Sequence, residues 1–210
     1  MIRISIVDDH AILRRGLHQI ISENSDMTVI GEAETSAQAL RLLREQTCDV
    51  LVLDINLPDR NGIETLKLVR KEHPRLHVLM LSMHPESQYA LRALKAGAAG
   101  YLNKASAAEQ LVSAIRQVYG GRKFVTPAVA EELANSIDRD SERPLHEQLS
   151  MREYQTMCMI ASGKSLSDMA AEMKLSAKTV SVYRARVLEK MRLKNNAEIT
   201  HYAIKNQLVE

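Results

Sequence analysis

The sequence predicts two units, an α/β unit built on a five-stranded parallel sheet and an all-α unit of four short helices. Three observations carry that reading. Short apolar runs alternate with amphipathic stretches over the first 120 residues, the pattern of β-α units whose parallel sheet is covered on both faces. A charged, proline-broken stretch, Asp138 to Gln148, then interrupts the pattern and reads as an exposed linker. Beyond it, helix-start signals recur four times with no strand between them.

The candidate strands are Ile2–Val7, Thr28–Ala33, Val50–Leu53, His77–Leu81 and Gly100–Leu102. Candidate helices lie between and after them, near 11–23, 36–46, 62–73, 86–96 and 107–119. In the third, Ile63, Leu66 and Val69 recur on one side at helical spacing. Gly120-Gly121 closes the fifth. A short helix is expected near 127–136, with Pro127 suited to a first turn and Val129, Leu133 and Ile137 four residues apart. The later helices are expected at 151–162, 166–173, 177–191 and 196–206. Their caps are Ser150 with Glu153, Ser165 with Asp168, Ser176 alone, and Asn195 with Glu198. The three acid-paired caps have capping-box spacing. The domains are thus expected at 1–121, 122–148 (a short helix and linker) and 149–210.

Composition narrows the function classes. Apolar residues make up 45% of 210, enough for two real cores. The apolar runs are strand-sized, so no membrane helix is expected. A strand beginning at Ile2 leaves no room for a secretion signal. Cys48 and Cys158 lie far apart beside apolar residues, which argues against a disulfide framework. A cytoplasmic protein is expected. Lys/Arg and Asp/Glu cancel at 14 each up to residue 120, whereas residues 149–210 carry 10 against 6. The basic excess of the helical unit points to an acidic polymer.

The chemistry-bearing residues stand at strand ends. Asp54 ends Asp49-Val-Leu-Val-Leu-Asp54, and Asp8-Asp9 end the first strand. Parallel sheets place ligand sites at the carboxyl ends of their strands. Three carboxylates at one edge repel one another unless a cation neutralises them, and hard oxygen donors suit Mg²⁺. Asp8, Asp9 and Asp54, with the Asn56 carbonyl, are the candidate metal ligands. Asp54 is the candidate acceptor of a phosphoryl group, Lys104 can pair with one of its oxygens, and the Ser82 hydroxyl can donate to another. A phosphatase with an aspartyl nucleophile needs a second acid two residues on, and Asn56 stands there. His73 and His77 flank Pro74, which argues against a helical zinc pair.

With Asp8-Asp9, Asp54, Pro58, Gly62, Ser82, Tyr101 and Lys104 in this order and spacing, residues 1–120 resemble the receiver domain of a two-component response regulator. The resemblance implies a flavodoxin-like sheet and phosphorylation of Asp54 by a histidine kinase. It also implies a switch made by Ser82 and Tyr101 moving inward, and tuning of dephosphorylation by Asn56 and His84. Leu57 stands where methionine is frequent in that family.

In the helical unit, Val180, Val187, Leu188 and Met191 can form an inward stripe. Lys178, Ser181, Val182, Arg184, Ala185 and Arg186 are left for the outer and flanking surfaces. Small residues between cations suit a helix entering the major groove of double-stranded DNA, and the 166–173 helix with the Lys174-Leu175-Ser176 turn completes a helix-turn-helix. Leu149-Ser150-Met151-Arg152-Glu153, Ala161-Ser162-Gly163, Met169-Ala170, Thr179-Val180, Lys190-Met191 and Asn196-Ala197-Glu198 make residues 149–208 similar to the LuxR-type domain of NarL/FixJ-class regulators. Tyr183 stands where histidine is common there, and Ser181 and Ala185 where longer polar side chains often sit. Lys178, Thr179, Ser181, Val182, Arg184, Ala185, Arg186 and Lys190 are the candidate DNA contacts. A homodimer on two half-sites is expected, with RNA polymerase as a further candidate partner. Two other readings remain open. One is an interaction protein whose receiver binds a protein partner beside a vestigial DNA domain; the other is a constitutive DNA binder.

Overall fold

The computed structural model describes the chain except residues 85, 139–143 and 210, with backbone alone at 87, 88, 132 and 135–138. It divides into two compact units, Met1–Ala134 and Asn135–Glu210.

In the first unit, five strands alternate with helices: β1 (Ile2–Val7), α1 (Ala11–Ser22), β2 (Met27–Ala33), α2 (Ser36–Glu45), β3 (Val50–Asp54), α3 (Gly62–Glu72), β4 (His77–Ser82), α4 (Glu86–Lys95), β5 (Gly100–Asn103) and α5 (Ala107–Tyr119). All strand pairs are parallel, in the order β2-β1-β3-β4-β5. That order reverses between β1 and β3, which opens a crevice at their carboxyl ends. The sheet is the expected flavodoxin-like one, with β2 starting one residue earlier than expected, at Met27. Strands β3, β4 and β5 each run one residue further than hydropathy suggests, because Asp54 pairs with Leu81 and Ser82 with Asn103. Polar side chains are thereby fixed on the ladder itself, where a loop would let them move.

The strands are buried on both faces, so period-2 alternation sorts apolar residues between two layers. Ile4, Ile6, Val50, Val52, Leu79 and Leu81 pack with Leu17 and Ile21 of α1 and Leu111, Ile115 and Val118 of α5. Leu51, Leu53, Val78 and Met80 are buried on the other layer. Each fully buried aliphatic side chain contributes about 2 kcal/mol, so the sheet is a rigid base for whatever its edge carries. A sixth helix, α6 (Pro127–Asp138), starts at proline as expected and buries Val129. The Ile137 side chain and residues 139–143 of the expected linker lie outside the described residues. The far end of that stretch is a 3₁₀ turn, Leu145–Gln148, where the sequence suggested loop.

The second unit holds α7 (Met151–Ala161), α8 (Leu166–Met173), α9 (Ala177–Met191) and α10 (Asn196–Lys205). Helix α7 packs on α9 and α10, and α8 packs on α9. Met151, Met157, Met169, Met173 and Met191 fill much of the core, a use suited to their adaptable side chains. All four expected caps accept a backbone N–H. Among the described residues only Ser150–Glu153 closes the reciprocal box. Asp168, one methylene shorter, instead accepts the Ser165 hydroxyl at 2.6 Å, and Glu198 reaches the Lys194 N–H at 2.8 Å.

Candidate functional site

The carboxyl edge of the sheet gathers Asp8, Asp54, Ser82 and Lys104, none more than 9% exposed. Lys104 Nζ lies 2.6 Å from Asp8 Oδ2 and 2.9 Å from Asp54 Oδ2. The lysine reaches them because Asn103 ends β5 and accepts the Ala105 N–H, starting a 3₁₀ turn that aims residue 104 back at the edge. Burial pushes the Asp54 carboxyl above its ordinary value, Lys104 pulls it down and Asp8 pushes it up again; the net direction is up. One ammonium therefore only part-compensates two buried acids.

Asp9 and His10 complete the edge. His10 Nδ1 stands 3.0 Å from Asp8 Oδ1 and 2.9 Å from Asp9 Oδ1, and the His10 N–H donates to Asp8 Oδ1 at 2.8 Å. One donor atom from each of Asp8, Asp9, His10 and Asp54 falls within 4.8 Å of the others. Asp8 Oδ2 and Asp54 Oδ2 are buried and, apart from the lysine contacts, accept no aligned hydrogen bond. A hard divalent cation fits such a donor set. Asn56 follows the edge half-buried, its side-chain nitrogen 3.2 Å from His84 Nε2.

Two further residues shape this edge: Arg14, which no motif marks, and Gly62, one of the residues on which the likeness to a receiver rests. Arg14 of α1 is only 8% exposed; it donates to the Asp8 carbonyl at 2.6 Å and to Glu34 at 2.5 Å, with Glu32 at 3.4 Å. It clamps the loop that carries both acids. Gly62 lies so close to β3 that a Cβ there would sit 2.0 Å from the Asp54 carbonyl oxygen, and its N–H donates to the Ile55 carbonyl at 2.7 Å. Only glycine closes the loop after Asp54 this tightly.

Ser82 and Tyr101 meet at the backbone of one residue, His84. The Ser82 hydroxyl accepts the His84 N–H at 3.0 Å, and the Tyr101 hydroxyl donates to the His84 carbonyl at 2.9 Å, joined by Asn103 at 3.2 Å. Tyr101 is already turned inward, 1% exposed, and burial pushes its phenol well up. The chain after β4 is thus pinned from both sides.

In the second unit Val180, Val187 and Met191 are buried, as their spacing predicts, while Leu188 is only half-buried. Lys178, Ser181, Val182, Ala185 and Arg186 are exposed, and Thr179 is half-buried beside the Ser176 cap, 2.8 Å between hydroxyls. Among the described residues Lys178 and Arg186 have no protein partner. Two other cations are engaged inside the unit. Arg184 donates to Asn196 at 2.6 Å, and Lys190 donates to the buried Glu153 at 2.6 Å. Lys174, with φ 55°, ends α8 in the left-handed region and turns the chain into α9.

With this geometry the comparisons agree. Residues 4–116 match the family model for the response regulator receiver domain, and residues 147–203 that for bacterial regulatory proteins of the luxR family. The chain belongs to the NarL/FixJ-class response regulators, a receiver followed by a LuxR-type helical domain. It is similar to the response regulator UvrY of Escherichia coli (strain K12), 34% identical over 99% of this chain and 96% of that one. It also resembles the structure of a LuxR-family two-component response regulator from Aurantimonas sp. SI85-9A1, with TM-score 0.59 and 38% identity over 65% of this chain and 98% of that one. RcsB of Salmonella enterica serovar Typhimurium, solved on a promoter with the phosphomimetic BeF3⁻, shares the fold. Its TM-score is 0.63 at 23% identity, over 96% of this chain and 97% of that one. No described helix is long and apolar enough to cross a membrane.

Proposed function

We propose that this chain is a DNA-binding transcriptional regulator of the cytoplasm, switched by phosphoryl transfer from a histidine kinase to Asp54. The observation that carries the reading is Lys104 Nζ held 2.6 and 2.9 Å from two buried acids at one sheet edge. An Asp54 oxygen attacks the phosphorus of a phosphohistidine; the O–P bond forms as the N–P bond breaks, and a proton returns to the freed imidazole. Asp8, Asp9 and Asp54, with the Asn56 carbonyl, would hold Mg²⁺, which supplies charge neutralisation to the phosphoryl oxygens. Lys104 pairs with one of those oxygens and the Ser82 hydroxyl donates to another. Taking Ser82 away from the His84 N–H loosens the residue whose carbonyl Tyr101 also pins, so the chain after β4 is the bistable element. The site retains a phosphoryl group and has no second acid at position 56 to turn over substrates.

Helix α9 enters the major groove, with Lys178, Arg184, Arg186 and Lys190 near phosphates and Thr179, Ser181, Val182 and Ala185 on the groove side. Binding is as a homodimer on paired half-sites, next to RNA polymerase. Functional boundaries are 1–121 for the phosphoacceptor, 122–148 for the connection and 149–210 for DNA. Incubation with acetyl phosphate and Mg²⁺ tests the core of this. Intact-mass measurement should show one added phosphoryl group in the native chain and none in Asp54→Asn. An undiminished gain in that variant removes Asp54 from the role.

A further inference from the structure

The imidazole of His10 has a placement that the receiver chemistry above leaves unused. Its Nδ1 is 2.9 Å from Asp9 Oδ1 and 3.0 Å from Asp8 Oδ1. A single N–H can align with only one of these acceptors, and Asp8 Oδ1 already takes the His10 backbone N–H at 2.8 Å. Donors on neighbouring positions of an octahedral cation with bonds of about 2.1 Å stand about 3 Å apart. The nitrogen stands at that spacing from each of the two carboxylate oxygens. The fourth donor, from Asp54, lies within the same 4.8 Å sphere. The His10 side chain is 56% exposed, so solvent can reach this side of the site, and a small rotation of the ring costs no core packing.

We propose that His10 Nδ1 is a ligand of the cation held by Asp8, Asp9 and Asp54, giving this receiver a mixed nitrogen–oxygen site. The inference rests on the metal reading of the acidic edge. An imidazole donor favours first-row transition ions over Mg²⁺, since Mg²⁺ selects oxygen and water while Mn²⁺ and Co²⁺ accept nitrogen readily. The pocket therefore prefers Mn²⁺ to Mg²⁺ by more than an all-oxygen pocket does. His10→Ala removes the nitrogen and leaves all three carboxylates.

Mn²⁺ itself is the probe. The full chain at about pH 8, where a free imidazole is neutral, is titrated with Mn²⁺ and read by electron paramagnetic resonance. Pulsed measurements on the bound ion then look for modulation from a directly bonded ¹⁴N. The expected result is one bound Mn²⁺ with nitrogen modulation, lost in His10→Ala and His10→Gln although both still bind the ion. The Mn²⁺-over-Mg²⁺ preference should narrow in those variants by about tenfold. Bound Mn²⁺ with no nitrogen signal overturns the ligand assignment and leaves the carboxylate site standing. A nitrogen signal that persists in both variants also overturns it, because another donor then supplies the nitrogen. Absence of bound Mn²⁺ in the native chain overturns this inference together with the metal reading beneath it.

Discussion

The two units handle charge in opposite ways. At the sheet edge, two acids and a lysine are buried together, and one ammonium at 2.6 and 2.9 Å part-compensates both carboxylates. On α9 the cations are exposed or half-buried, and those with partners tie the helix to its own unit. Burying a charge costs several kcal/mol unless it is paired, whereas a solvated charge costs almost nothing. The first region is therefore constrained from within, whereas Lys178 and Arg186 of α9, without a protein partner among the described residues, are left to what the helix binds. Stability should report on the acidic edge, and DNA affinity and its salt dependence on α9.

The largest effect should come from Lys104→Met. Without Mg²⁺ it leaves Asp8 and Asp54 buried with no counter-charge, and the receiver unit should lose about 3 kcal/mol in urea unfolding near neutral pH. Saturating Mg²⁺ should return part of that loss. Gly62→Ala comes next. Its Cβ meets a backbone oxygen with no flexible neighbour to yield, so a comparable loss, about 3 kcal/mol, is expected. That loss should not respond to Mg²⁺, which separates a steric defect from an electrostatic one.

Asp54→Asn should act in the opposite direction. The folded Asp54 carboxyl titrates above its unfolded value. Its contribution to stability is therefore fully present below the unfolded value, about 3.9, and is lost as pH rises through the folded value. Replacing the acid should stabilise the metal-free chain by about 1 kcal/mol at neutral pH and remove that part of the pH slope. Urea melts across the acid range read both effects.

Smaller effects test α9. Burial pushes Glu153 up, but Lys190 and the Ser150 donors outweigh it and hold its carboxyl below the ordinary value. The contribution of that pairing is present above the unfolded value and is lost as pH falls through the folded one. Lys190→Ala should cost about 1 kcal/mol of the second unit's stability, since the lysine is partly exposed. Lys178→Ala and Arg186→Ala should each change stability by less than about 0.5 kcal/mol. Each should weaken all DNA sequences about equally and reduce the salt slope by about one. A loss confined to one sequence would make either residue a base reader.

The contrast also explains what was legible in the sequence. Strands with apolar residues on both faces and acids at their ends announce a parallel sheet and its edge, and Asp8, Asp54, Ser82 and Lys104 do meet there. Arg14 was not legible, because its main partner is the Asp8 backbone carbonyl, which no residue type marks. Nothing in the sequence singles out His10, and only the folded loop turns its ring onto the acids. The extra ladder residue of β3, β4 and β5 was hidden because a terminal polar residue ends an apolar run whether or not it is paired. On α9 the buried stripe was legible by spacing. The partners of Arg184 and Lys190 were not, since long cationic side chains reach whichever acceptor tertiary packing brings near.

Linking the two regions is the central claim, and selection of genomic DNA fragments by the full chain tests it most directly. Binding is compared at one fixed salt concentration, with and without Mg²⁺ and beryllofluoride as a stand-in for phosphorylated Asp54. The account predicts enrichment of a paired half-site only when both are present, and none in Asp54→Asn under the same conditions. Equal enrichment without the mimic would contradict the switch and leave a constitutive DNA binder; no enrichment in either state would contradict DNA recognition itself.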